Sequence, residues 1–247
     1  MTIRLFVAVP LAPGIELSLP PGAARHAQVR RVQPGDTLCL FDGAGSDWPA
    51  TVLAVGRSEV KVRIGEPRPI CNELPHEVTL ALGMPANERM DMLVEKATEL
   101  GVARLQPLLT ERSVLRLSGE RAERKREHWQ AVAQAACEQC GRARVPVVEP
   151  VRPLAAWLPL APQGLRLLLS PGAQAHRLPG QAAQLPPGAA VCTLSGPEGG
   201  LTAAEEAAAL AAGFVATGLG PRVLRAETAP LAVLAWLALQ GDRTTRA

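Results

Sequence analysis

The rhythm of apolar and polar positions changes once along the chain. Up to about residue 70, short apolar or β-branched runs alternate with Gly, Asp and Ser, as in DTLCLFDGAGSDWPATVLAVGRSEVKVRIG (36–65). This rhythm predicts a small antiparallel sheet or barrel, with the GAG at 43–45 as a hairpin turn. The proline-rich EPRPICNELP (66–75) reads as a linker. Beyond it, apolar runs at 78–82, 105–109, 145–148, 165–169, 191–195 and 214–217 predict strands, and helical spacing predicts helices at 88–100, 120–140, 203–212 and 226–240. Gly101 and Gly141 stand where the first two helices should stop. Strand and helix in alternation predict an α/β domain with a largely parallel sheet, so the expected division is 1–70 and 76–247. Ligands of such sheets bind where strand ends feed helices.

Three predicted strand ends share one pattern, an apolar run followed by a Gly/Pro/Ser loop: LLLSPGA (167–173), LSGPEGG (194–200) and TGLGPRVLRAETAP (217–230). Thr202 and Glu205 have capping-box spacing, which places a helix start just after the second loop. Glycines there bring backbone N–H and C=O groups within reach of a ligand, although a plain tight connection would use them too. None of the loops fits the dinucleotide fingerprint or the P-loop, so a nicotinamide-dependent oxidoreductase lacks its phosphate-binding glycines.

Composition narrows the class. The hydrophobic fraction of 47% is that of a soluble globular chain, and no apolar run approaches the roughly 18 residues needed to span a bilayer. The amino-terminal apolar patch has Arg4 before it and Pro10 and Pro13 after it, and suits a first strand better than a signal peptide; a cytoplasmic protein with no membrane partner is expected. Five cysteines, an odd number, argue against a disulfide scaffold. Cys137 and Cys140 form a CxxC without a second ligand pair, so no metal is expected. The net charge of +3 permits a nucleic-acid partner without requiring one.

Six segments occur in order: HAQVRRVQPGD (26–36), EKATELGV (95–102), ERSV (111–114), EQCGRARVP (138–146), GPEGGLT (196–202) and LGPRVLRAETAP (219–230). Together they resemble the RsmE-type ribosomal RNA uridine-N3 methyltransferases of the SPOUT superfamily. The resemblance spans essentially the whole chain, with Val223 and Ala226 where the family more often has Ile and Thr. It implies a PUA-like β-barrel ahead of a trefoil-knotted α/β domain, a homodimer, and S-adenosyl-L-methionine (SAM) as cofactor. The knot enters by resemblance alone, since general rules of chain topology disfavour one. Residue by residue, the implied cofactor pocket uses Leu169 and Ser170, then Leu194, Gly196, Pro197, Glu198 and Gly199, then Leu219, Gly220, Leu224 and Arg225.

Methyl transfer to a uracil nitrogen needs in-line geometry, and the N–H must lose its proton. Glu198 and Glu227 are the candidate bases, and Arg225 is the candidate cation for the developing uracil charge. Equally, Glu198 can cap the next helix, and Glu227 can pair structurally with Arg225 or Arg222. For 16S rRNA in the small ribosomal subunit, the candidate contacts are Arg4, Arg25, His26, Arg30 and Arg31, and then Arg112 and Arg116 ahead of a basic helix carrying Arg121, Arg124, Lys125 and Arg126. His26 reads as well as a turn residue, and GERAERKREHW (119–129) as well as a solvated face of i to i+4 pairs. Aromatics are 3% of the chain, with no tyrosine, so base stacking on aromatic rings is a poor primary mode. The competing class is a non-catalytic ribosome-assembly factor that keeps the fold. The apolar APLAVLAWLALQG (229–241) should be buried in a core or between subunits.

Overall fold

The computed structural model describes residues 2–170, 176–178, 185–186 and 188–244. The chain divides into two compact units, Met1–Glu73 with Gln134–Val145, and Leu74–Ala133 with Pro146–Ala247.

The first unit is built on β1 (Arg4–Phe6), β2 (Glu16–Ser18), α1 (Pro21–Val29), β3 (Thr37–Phe41), β4 (Ser46–Val55), β5 (Val60–Ile64) and β6 (Arg68–Pro69). Its sheet runs β1-β3-β4-β5-β2, antiparallel except for the parallel pair β1 and β3. Alternation works as expected in β5: Val60, Val62 and Ile64 are buried, while Lys61 and Arg63 face Glu16 of β2 at 2.8 and 3.0 Å. Ala23, Ala24 and Ala27 of α1 pack with these valines and with Leu5, Leu38 and Leu40 in one core. The 43–45 turn does join β3 to β4, with Gly43 at φ 88° and Gly45 at φ 103°.

Two features depart from the sequence reading. Arg68 and Pro69, expected in a linker, pair with Asp47 and Ser46 of β4; the pair lies off the main strand path, where proline's missing N–H is tolerated. Residues 134–145, expected in the α/β domain, belong to the first unit. The reason is packing: Cys137 and Ala143 are buried against Phe41, with Phe6 and Val145 beside them. Glu138 accepts the Phe6 N–H at 2.9 Å, and Arg142 pairs with Glu73.

The second unit holds β7 (Val78–Gly83), α2 (Asn87–Glu99), β8 (Arg104–Leu109), most of α3 (Gly119–Cys140), β9 (Val147–Val148), β10 (Arg152–Pro153), α4 (Leu154–Trp157), β11 (Leu165–Leu169), β12 (His176–Arg177), β13 (Val191–Ser195), α5 (Ala203–Ala211), β14 (Val215–Gly218) and α6 (Thr228–Thr244). All its strand pairs are parallel, in the order β10-β8-β7-β13-β11-β14-β12, with β9 on β8. Every residue of β7 and of β13 is buried, the pattern of strands covered on both faces. The long predicted elements recur within a few residues. The extra ones, β10, α4 and β12, span two to four residues, too short to leave a period. After β14 the chain returns across the sheet, and α6 packs on α2 and β13. Arg166 ties the entry of β11 to the end of α5 by donating to the carbonyls of Ala161, Pro162 and Ala212 at 2.6, 2.8 and 2.6 Å. Among the described residues no helix is long and apolar enough to cross a membrane.

Gly83, the last residue of β7, meets the loop after β13 so closely that an added Cβ would lie 2.5 Å from Pro197 Cδ and 2.7 Å from its nitrogen. Gly83→Ala must therefore displace that loop. The expected loss is about 1–3 kcal/mol, the usual range for overpacking, read as a lower urea midpoint than that of the unaltered chain.

Candidate active site

β13, β11 and β14 are neighbours, and Leu169 stands opposite both Ser195 and Thr217. Three strands thus end at one level, and the loops leaving them wall a cavity of about 520 Å³. Small-molecule sites commonly measure roughly 300–1,000 Å³. The first loop gives the cavity Leu169 and Ser170; the second gives Gly196, Pro197, Glu198 and Gly199; the third gives Leu219, Gly220, Leu224 and Arg225. All of these were expected there. Leu194, expected with them, lies instead in the core beneath, because its side chain alternates away from the mouth into the cluster around Trp157 and Phe214. Positions 171–173 of the first loop lie outside the described residues.

The second loop is glycine-rich for two separate reasons. Gly200 donates to the Pro197 carbonyl at 2.8 Å with φ at 69°, in the left-handed region that costs other residues energy. A Cβ on Gly196 would lie 2.6 Å from the Gly200 carbonyl carbon and 2.7 Å from the Leu201 nitrogen, so the turn folds back only over glycine. The capping box follows as expected, with Thr202 Oγ1 accepting the Glu205 N–H at 3.3 Å and Glu205 accepting the Thr202 N–H at 2.9 Å.

Glu198 does not cap that helix. Its Oε1 accepts the Ala86 N–H at 3.0 Å and Arg89 Nη1 at 3.1 Å, fastening the loop to the start of α2. Burial favours protonation of this carboxylate. The hydrogen bonds from Ala86 and from its own N–H, with the Arg89 charge, outweigh that and hold it below its ordinary value of 4.5. Glu227 is 6% exposed and lies outside the cavity lining. Its Oε1 is 4.0 Å from Arg89 Nε, and its buried Oε2 has no hydrogen-bond partner among the described residues. The pairing with Arg222 or Arg225 considered from the sequence is thus replaced by Arg89, a residue the sequence reading missed. Its link to Glu198 spans 109 positions, and no local pattern announces it. Arg222 and Arg225 line the cavity with exposed side chains that make no ion pair or hydrogen bond among the described residues.

Ser195 was missed too. It is 3% exposed and lines the cavity, and its Oγ has no partner among the described residues. A buried hydroxyl left unpaired costs free energy unless a ligand meets it. With the glycine turn beside it, this donor set suits the hydroxyls and amines of a nucleoside.

The comparisons with known proteins agree with this geometry. Residues 72–238 match a family described as an RNA methyltransferase domain, and residues 19–65 match an RNA methyltransferase PUA domain. A ribosomal RNA small subunit methyltransferase E of Synechocystis sp. is 34% identical over 95% of this chain and 77% of its own length. That of Bacillus subtilis is 31% identical over 87% of this chain and 86% of its own. The chain belongs to the ribosomal RNA small subunit methyltransferase E family. Two solved structures are similar throughout. A methyltransferase of Legionella pneumophila in complex with bound SAM has a TM-score of 0.91 at 35% identity, covering 98% of each chain. A methyltransferase E of Neisseria gonorrhoeae bound to S-adenosyl methionine has a TM-score of 0.89 at 34% identity, covering 97% of this chain and 98% of that one.

Within this chain, the expected RNA residues fall into two groups. Arg25, Arg30 and Arg31 are exposed on and after α1, with no side-chain partner among the described residues, and Arg31 holds φ at 57°. Arg4 is engaged internally: it pairs with Asp47, donates to the Arg142 carbonyl at 3.1 Å and lies 4.8 Å from the Phe41 ring centre. His26 Nδ1 is 3.3 Å from Glu138. Arg116 donates to the Glu111 carbonyl at 2.8 Å, and Arg112 donates to the carbonyls of Gly199 and Leu201. On α3, Arg124 and Arg126 pair with Glu120 and Glu123. Cys137 and Cys140 end that helix, and the hydrogen bond to Cys140 with burial raises the Cys137 thiol far above its usual range.

The lowered carboxylate of Glu198 makes its contribution testable by pH. Its folded-state value lies below that of the unfolded chain, so the stabilisation is complete above about pH 4.5 and is lost as pH falls through the folded-state value. Glu198→Gln should melt below the unaltered protein at neutral pH, and the difference in melting temperature should close in acid. A difference that stays constant down to acid pH would show that the ionised form is not what holds the loop.

Proposed function

We propose that this chain transfers the methyl group of SAM to N3 of a uridine in 16S rRNA of the small ribosomal subunit. The observation that carries the reading is the cavity at three aligned strand ends, with an unpartnered buried hydroxyl inside and two unpaired guanidinium groups at its rim. When bound, SAM supplies an electrophilic methyl group on a positively charged sulfur. The glycine turn and the Ser195 hydroxyl would hold the nucleoside part, with Leu219 and Gly220 of the third loop lining the same cavity. Arg225 would offer a fixed positive charge to the uracil carbonyls, where negative charge grows as the N3 proton passes to solvent water. Glu198, with a lowered proton affinity and Oε1 already engaged, is a poor base and acts by fixing the loop. Glu227 keeps Arg89 in place beneath it.

The same reading assigns the exposed arginines after α1 to rRNA phosphates, within a PUA-type domain. It places the chain in the cytoplasm with the ribosomal subunits. The return of α6 from β14 to β13 is compatible with the family's knot. On α6, Leu239 is 72% exposed and Trp236 half-buried, which suits a homodimer formed through this helix.

The test is to incubate the protein with methyl-labelled SAM and small ribosomal subunits from a strain lacking the enzyme, then digest the RNA and identify the labelled nucleoside. Label is expected in 3-methyluridine. Arg225→Ala should lower kcat about 100-fold, as loss of one charge-stabilising donor does elsewhere. SAM binding without any label would favour the assembly-factor reading, and a monomer in sedimentation would remove the dimer.

A further inference from the structure

We infer that Arg112 is a positioning residue for the cofactor loop, not a contact to RNA. The inference rests on the SAM reading above. Arg112 lies in the segment between β8 and α3, and its position on an exposed, arginine-bearing stretch suggested a phosphate contact. Its Nη1 instead donates to the Gly199 carbonyl at 2.9 Å and to the Leu201 carbonyl at 3.3 Å. Its alkyl stem lies against the turn, where a Cβ added to Gly199 would stand 3.3 Å from Arg112 Cβ and 3.5 Å from Cδ.

The side chain is presented from a fixed base. Thr110 N–H donates to Ser113 Oγ at 3.0 Å, and the Ser113 N–H returns to the Thr110 carbonyl at 3.2 Å. Glu205 joins the two loops directly, accepting the Glu111 N–H at 2.8 Å on one oxygen and the Thr202 N–H at 2.9 Å on the other. In the second loop, the Pro197 carbonyl already takes the Gly200 N–H. With Arg112 in place, the carbonyls of Pro197, Gly199 and Leu201 are therefore all engaged before any cofactor arrives. Glu198 is gripped from the α2 side by Arg89, and the backbone behind it from the β8 side by Arg112. A loop ordered in advance spends less binding free energy on ordering when its ligand enters, so Arg112 acts on SAM affinity through the turn it holds.

The experiment compares full-length wild type, Arg112→Ala and Arg112→Lys. SAM affinity is read by calorimetry, and the KM for SAM, the KM for small ribosomal subunits and the salt dependence of subunit binding are read separately. Arg112→Ala should weaken SAM binding and raise its KM about tenfold, the size expected from losing two hydrogen bonds of modest net strength. The KM for subunits and the salt slope should stay at wild-type values, and Arg112→Lys should recover part of the SAM affinity. Unchanged SAM affinity with weaker subunit binding and a shallower salt slope would overturn the inference in favour of a phosphate contact. Both KM values rising together would overturn it in favour of general loosening. A wild-type chain that binds no SAM would instead bring down the functional reading itself.

Discussion

Because Leu169, Ser195 and Thr217 are in register across three parallel neighbours, the chain leaves β11, β13 and β14 at one level and must turn there three times in a small space. The backbone at those turns has no ladder to join, so each turn needs other partners for its polar groups. The second loop finds them in its own Pro197–Gly200 bond and in Arg112, which donates to the carbonyls of Gly199 and Leu201, while Arg89 of α2 holds the Glu198 side chain, and the loop can fold so tightly only because Gly83, Gly196 and Gly200 carry no Cβ. The cavity is what remains when three such turns diverge. Its polar lining is thus a consequence of parallel strand ends.

The same crowding separates the two carboxylates that the chemistry first suggested. Glu198 faces the cavity, but its hydrogen bonds favour the ionised form and use it as a strap. Glu227 retains an unpaired oxygen but is buried at the base of α6, outside the lining. Arg89 bridges them, so the two acids belong to one electrostatic unit in which a single cation serves both. That arrangement leaves Arg222 and Arg225 at the rim with no ion pair among the described residues, and an unpaired charge at a mouth is most effective toward an anionic substrate.

What the sequence revealed follows from range. Buried strands such as β7 and β13, the helix stops at Gly101 and Gly141, and the Thr202–Glu205 box are set by neighbours within a few residues, and all were readable. The three-loop pocket was readable too, since each loop repeats the same strand-to-glycine pattern. Arg89 and Ser195 were not, because their meaning depends on which strand ends lie side by side, and β13 sits between β7 and β11 although it follows both in sequence. The stretch 134–145 failed for a related reason: its pattern is that of a helix end, and only the apolar contacts of Cys137 and Ala143 with Phe41 assign it to the first unit.

Charge is where reading by residue type misleads most. Counting basic residues marks Arg4, Arg112 and Arg116 as equals of Arg25, Arg30 and Arg31, yet the first three donate to backbone carbonyls of their own unit and the last three do not. A guanidinium has five donors in a rigid fork, so one arginine can close several exposed carbonyls at a turn, as Arg166 does for three of them. In a chain rich in Gly and Pro turns and almost without aromatics, arginine takes over the task of tying loops to sheets. The capacity to bind phosphate is then set by the arginines that are left over. Among them are Arg25, Arg30 and Arg31 on and after α1, and Arg222 and Arg225 lining the cavity, all exposed and without a side-chain partner among the described residues.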